Sequence, residues 1–315
     1  MTRFLVGRLL AMIPVVLGVT LAVFGLIQLT PGDPAAAILG TQANPAALAA
    51  LRRAMGLDLP APIQYLHWLD NVLHGNLGVS YRNHMAVAHL LASALPVTLE
   101  LTLVSLIIAA VIGIPSGVIA AARRYTNTDY AVSAAALFGI SIPGFWLGLL
   151  LILLFSLVLG WLPASGFTPL HDGLWANIKS MILPGFSVGI FSAGVLSRFV
   201  RAAMMEAFEE DYVRTARAKG LGERIVIYRH ALKNALIPTV TVLGLQLAFL
   251  LGGVVIIEQV FALPGIGQLT LNAIEARDYP IVQGATLLIG VAFVIVNLVV
   301  DLAYTAIDPR IRYGG

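Results

Sequence analysis

The sequence has 315 residues, 59% of them hydrophobic and 11% charged, with a mean hydropathy of +0.90. Soluble domains carry about 25% charged residues, so a water-soluble fold is excluded and an integral membrane protein is indicated. The net charge is only +3 despite a pI near 9.3, which basic residues at membrane borders explain without a nucleic-acid partner. The absence of cysteine rules out disulfides, thiolate metal sites and a cysteine nucleophile.

Residues 1–8, with Arg3 and Arg8, form a short basic N-terminus ahead of a charge-free stretch at 9–29. A signal-peptide core needs about 7–15 apolar residues and a bilayer about 20, so 9–29 reads as an uncleaved first span with a cytoplasmic N-terminus. Residues 30–95 are more polar, open on Pro31-Gly32-Asp33-Pro34, and read as a long external helical segment. In it, Asn44-Pro45 is an N-cap and first-turn pair for a helix that Gly56 closes. Pro62 opens a second helix with Ile63, Leu66, Leu69 and Leu73 on one face and Gly75 behind it; a third piece aligns Val87, Leu90, Leu91 and Ala94. These faces are expected to pack on the mouth of the bundle or on a partner. His67, His74, His84 and His89 lack the close pairing of zinc ligands.

Charge-free runs at 101–122, 131–160, 180–197, 234–257 and 279–300 add five spans. The chain therefore reads as an all-α integral membrane protein of six transmembrane helices with both termini cytoplasmic. Residues 96–303 form a five-span transport core and 304–315 a cytoplasmic C-terminus. The third span is interrupted at Ile142-Pro143-Gly144 and must tilt or kink. Fourteen basic residues fall on the assigned inner side and five on the outer (Arg52, Arg53, Arg82, Lys179 and Arg277), which obeys the positive-inside rule. Gly185, Gly189, Ser192, Gly194 and Ser197, and further on Gly244, Gly252 and Gly253, predict close helix packing. Glu100, Glu258 and Asp301 lie near span ends, where hydration is expected to make them cheap.

No phosphate-binding loop, H-E-x-x-H or G-x-S-x-G motif is present. Ser165 and His171 lie in an external turn without a hydrolase pattern. The chain reads as neither an enzyme nor the holder of a cofactor or metal.

Residues 198–233 stand apart, with 13 of the chain's 35 formal charges, eight basic and five acidic. Between apolar spans, such a stretch reads as a loop that leaves the membrane and returns. Residues 199–219 contain no glycine or proline and are expected to be one helix, ended at Gly220-Leu221-Gly222 by a left-handed cap. Ile225, Tyr228, Leu232 and Leu236 then predict a second amphipathic helix ending near Pro238.

The stretch DYVRTARAKGLGERIVIYRHALKNALIP resembles the cytoplasmic "EAA" loop of bacterial ABC-importer permeases, in the branch serving dipeptides, oligopeptides, nickel and glutathione. The likeness extends over nearly the whole chain, through LTPGDP, GNLGVSY, ALPVTLELTL, SIPGFWLGLLLILLFS, GWLPASG and EQVFALPGIGQLTLNAIEARDYPIVQG. It implies a multi-pass permease subunit of the bacterial inner membrane that forms half of a translocation pathway for peptides or a similar small solute. The implied partners are a second, different permease chain, two cytoplasmic ATPase subunits or domains that hydrolyse the ATP, and an external solute-binding protein. Tyr212, Arg214, Thr215, Ala216, Arg217, Lys219, Gly220, Leu221 and Gly222 would form the ATPase-coupling loop. The wider importer pattern reads E-A-A, three residues, G, nine residues, I-x-L-P. With Gly220 aligned, Arg214-Thr215-Ala216 take the first three places, only Leu232 agrees near the end, and Pro238 comes late, which leaves the limits of the docking helix open by several residues. From the residues alone, a secondary transporter or a channel subunit without an ATPase partner is the alternative.

Overall fold

The structure, a computed structural model, describes residues 2–29, 34–39 and 44–307. Among these, all regular elements are helical, apart from an isolated antiparallel bridge between Val79 and Ala86. In chain order they are α1 (Thr2–Leu29), α2 (Pro34–Leu39), α3 (Pro45–Ala54), α4 (Ala61–Leu73), α5 (Val87–Ala122), α6 (Asn127–Ser141) and α7 (Gly144–Leu151), which continues as a π-helix over Ile152–Val158. Then come a short 3-10 helix (Leu170–Asp172), α8 (Leu174–Glu209), α9 (Asp211–Ala218), α10 (Glu223–Ile225) with a π turn over Val226–Ala231, α11 (Leu232–Gly253), α12 (Val255–Val260), α13 (Ile266–Glu275) and α14 (Tyr279–Ile307).

Among the described residues, four stretches are long and apolar enough to cross a membrane: Val87–Ala122, Leu174–Glu209, Glu223–Gly252 and Tyr279–Val300. The pair α6 and α7 makes a fifth if it is one broken span, its halves meeting at 98°. The break follows from Pro143, which has no N–H to donate and drives the residue before it out of the helical region. Ile142 is accordingly extended, with ψ 128°. The interruption read from the sequence is thus a near right-angle break and not a tilt.

The chain divides into two compact units, Met1–Val97 with Pro264–Val294 and Thr98–Leu263 with Ile295–Gly315. In the first, α3 starts as its sequence dictates, with Asn44 Oδ1 accepting from the Ala47 N–H at 2.7 Å and Pro45 in the first turn. Gly56 follows in the left-handed region at φ +66°. Of the apolar face expected of α4, Leu69 is half-buried, while Ile63 is 42%, Leu66 61% and Leu73 76% exposed. A different side of α4 is held: Tyr65 and Trp68 pack on Phe24 of α1 with ring centres 5.5 and 6.3 Å away, and the Tyr65 hydroxyl lies 2.9 Å from Thr20 Oγ1. Aromatic area outweighs the leucine stripe there.

Val87, Leu91 and Ala94 are buried as expected, against Ile266, Ala273, Ile281 and Ala285. They are not a separate piece, because α5 runs unbroken through Pro96 to Ala122. A buried carboxylate fastens the preceding hairpin. Asp278 accepts from Ser80 Oγ at 2.5 Å and from the backbone N–H groups of Tyr81 and Arg82 at 3.2 and 3.4 Å. Burial, and then the Asp278 carboxylate, push the neighbouring Tyr81 phenol up to about 12, so it stays neutral at physiological pH.

In the second unit α8 is the central element, and its glycines are required by space. A Cβ on Gly194 would sit 2.6 Å from the backbone oxygen of Ala136 in α6, and one on Gly189 would sit 2.8 Å from that of Ser105 in α5. From the other side, a Cβ on Gly117 of α5 would meet the Ser197 oxygen at 2.6 Å. The small-residue packing read from the sequence is therefore present. The hydration expected for Glu258 is not: this residue is fully buried and accepts from Thr98 Oγ1 at 2.6 Å. Glu100 accepts from Asn177 Nδ2 at 2.5 Å; the side chain of Asp301 lies outside the described residues.

Candidate coupling loop

The expected continuous helix over 199–219 is two helices. α8 ends at Glu209, Glu210 is extended at ψ 146°, and α9 covers eight residues from Asp211. No glycine or proline marks this break. Asp211 at the start of α9 favours a new helix there, since a carboxylate complements the unpaired N–H groups of a first turn.

α9 closes by a full Schellman motif. The Gly220 N–H donates to the Arg217 oxygen at 2.9 Å and the Leu221 N–H reaches back to the Ala216 oxygen at 3.4 Å. This geometry puts Gly220 at φ +76°, where a Cβ is disfavoured. Nothing lies within 4 Å of where that Cβ would be, so Gly220 is required by backbone angle and not by crowding. Gly222 is different: it is extended at φ −60°, with open space around it, and needs no glycine for either reason.

Two residues anchor α9. Val213 is fully buried and Ala216 is 4% exposed, in a cluster with Leu196, Val200, Met204, Val226 and Ala231. Tyr212, Arg214, Thr215, Arg217, Lys219, Gly220, Leu221 and Gly222 are exposed. Of the nine residues assigned from the sequence, Ala216 is thus a root and the other eight are exposed. Val213 was missed, although its spacing from Ala216 and its apolar character carry the signal. Across the turn, Arg217 grips Glu223 with Nε–Oε2 at 3.2 Å and Nη2–Oε1 at 2.6 Å. The same guanidinium lies 5.8 Å from the Phe208 ring centre, so one side chain ties the end of α8 to both sides of the turn.

The return path also departs from expectation. Ile225 and Tyr228, placed on the buried face by their spacing, are 47% and 55% exposed. Val226, Ala231 and Ala235 are buried in their place. The π turn at 226–231 shifts the register, so a strict helical period selects the wrong face. Pro238 does not end the helix but lies inside α11. Among the described residues, no group of three or more His, Asp or Glu could hold a metal ion.

The geometry defines a membrane bundle whose central helix, α8, is followed by a short anchored helix with a polar outer face. The profile of the family described as "Binding-protein-dependent transport system inner membrane component" matches residues 113–313, and that of its N-terminal component matches residues 1–102. The dipeptide transport system permease protein DppB of Alkalihalophilus pseudofirmus is 41% identical over 99% of this chain and 100% of its own length. The glutathione transport system permease protein GsiC of Escherichia coli O6:H1 is 42% identical over the same shares. Among solved structures, an inward-facing MetNI methionine ABC transporter superposes with a TM-score of 0.59 at 21% identity, covering 70% of this chain and 96% of that one; this likeness concerns the fold alone. The chain belongs to the family of binding-protein-dependent transport system inner membrane components. It is a multi-pass inner-membrane permease of an ABC importer.

Proposed function

We propose that the chain forms half of the translocation pathway of an ATP-driven importer for peptides or a related small solute, handed over by an external binding protein. In this reading it spans the membrane six times, with α1 as the first span, both termini cytoplasmic, residues 30–95 outside and residues 198–233 inside. A second permease completes the pathway, and two ATPase subunits or domains supply the hydrolysis for which this sequence has no phosphate loop. The permeases at 41% and 42% identity named for dipeptide and glutathione transport support the solute class.

The observation that carries the mechanism is the glycine-capped α9, rooted by Val213 and Ala216 and polar on its outer side. Seated in an ATPase groove, such a knob would convert ATPase closure into movement of α8 and α11, the spans on either side of it. That movement shifts the balance between inward-open and outward-open states.

Proteoliposomes holding the whole importer are expected to accumulate labelled dialanine or glutathione only with both ATP and the binding protein. Uptake without ATP would favour a channel or secondary transporter. For topology, a cysteine at Ala47 is expected to react with an impermeant maleimide in intact cells, and one at Glu209 only after permeabilisation. The reverse pattern would sink the six-span arrangement.

A further inference from the structure

The second unit contains an ion pair between a buried carboxylate and a partly buried guanidinium. Asp129, in the first turn of α6, has a side chain 2% exposed; Arg201, two turns before the end of α8, is 28% exposed. The guanidinium fork is fully engaged, with Nε on Oδ1 and Nη2 on Oδ2, both at 2.7 Å. The same carboxylate accepts from the Tyr125 N–H at 3.0 Å and from Ser133 Oγ at 3.3 Å. Tyr125 is in the left-handed region at φ +60°, which a bulky residue enters only against steric resistance. One carboxylate thus holds together the strained turn after α5, the start of α6 and the cytoplasmic stretch of α8.

Position makes this pair mechanically relevant. Arg201 lies beyond the last glycine of α8 that meets α6, Gly194 on Ala136, one residue past the close approach of Gly117 of α5 to Val200, and before the break at Glu210. There α8 is tightly packed on α5, and the ion pair is the contact that ties the same stretch to α6. A bidentate Arg–carboxylate pair fixes angle as well as distance, whereas a buried ion pair adds little net stability over an apolar substitute.

We propose that Asp129 and Arg201 are a positioning pair that makes the inner ends of α5 and α6 move as one body with the coupling segment. The stroke then reaches the broken span α6–α7 as well as α8 and α11. This rests on the coupling role proposed for residues 198–233.

The test uses the assembled importer, purified with its ATPase and second permease; this chain has no native cysteine. Spin labels at Asn127→Cys and Glu206→Cys, both exposed positions, report the α6–α8 distance without nucleotide and with vanadate-trapped ADP. In the wild type this distance is expected to stay within about 2 Å between states, while Asp129→Asn lets it change by a helical turn, about 5 Å. The ATPase should still co-purify at the wild-type ratio and hydrolyse ATP while uptake falls tenfold or more. The double variant Asp129→Asn with Arg201→Gln should be no worse than either single one, and Arg201→Lys, which keeps charge but not the fork, should be intermediate.

A wild-type distance that itself changes by a turn, or a pair-breaking variant whose distance stays fixed, overturns the proposal. Should Asp129→Asn fail to accumulate in membranes, Arg201→Lys decides: an unchanged distance and unchanged uptake overturn it. Gly220→Leu, measured in parallel, separates the two readings. If it transports normally, the coupling role of the loop falls, while the labels still report whether the pair binds the inner ends together.

Discussion

Gly194 and Gly220 lie in adjoining regions of the same unit and are glycines for opposite reasons. Gly194 is in an ordinary helix and is required because the backbone of α6 passes where its Cβ would be. Gly220 has empty space around it and is required because its φ is +76°. The first glycine serves the bundle and the second serves a shape displayed to solvent. Substitution should therefore separate folding from function.

The largest effect is expected at Gly194. Gly194→Leu adds a side chain against a carbonyl that cannot move away; overpacking of this kind costs about 1–3 kcal/mol and sometimes more. Chain recovered in the membrane fraction is expected to fall severalfold or more. Normal accumulation would show that α6 and α8 are not in the close contact described.

At Gly220 the local cost of a Cβ is only on the order of 1 kcal/mol. Gly220→Leu is therefore expected to insert at near wild-type levels while uptake is lost. Gly220→Asn sharpens the point, because asparagine tolerates the left-handed region; it should retain most of the uptake. An asparagine variant as defective as leucine would show that the bare surface matters there and not the backbone angle.

The smallest effect is expected at Gly222, where neither reason applies. Gly222→Ala should leave stability within about 0.5 kcal/mol and uptake at the wild-type level. A large loss of uptake with normal insertion would reveal a partner lying directly on that residue.

What could be read in advance follows the same division. The cap at Asn44, the break at Pro143 and the turn at Gly220 are written in local chemistry, and the structure has each of them; of the six apolar runs, four lie in helices long enough to cross a membrane and a fifth is the broken pair α6–α7. The split at Glu210 has no breaker residue. Its cause is tertiary: Val213 and Ala216 reach the cluster around Val200 and Met204 by turning a new helix off the end of α8. The face exposed after Gly222 was misjudged because one π turn defeats a fixed period. Asp129 and Arg201 are 72 positions apart, and no single-sequence pattern links charges at such a distance. Pro96 and Pro238 looked like boundaries, yet α5 and α11 pass through both, since a helix in a packed apolar bundle can lose one hydrogen bond and persist.

The exposed turn at Gly220 also makes the peptide bond there expendable for assembly. Spans α8 and α11, on either side of it, are joined independently by Ser192 and Gln246, whose side chains and backbone meet at 3.3 Å, and by the cluster that includes Leu196, Ala235 and Val242. A gene cut after codon 220 would thus encode two fragments whose membrane parts are expected to recognise each other, yielding a bipartite subunit in which the coupling role proposed for the loop can be tested apart from assembly.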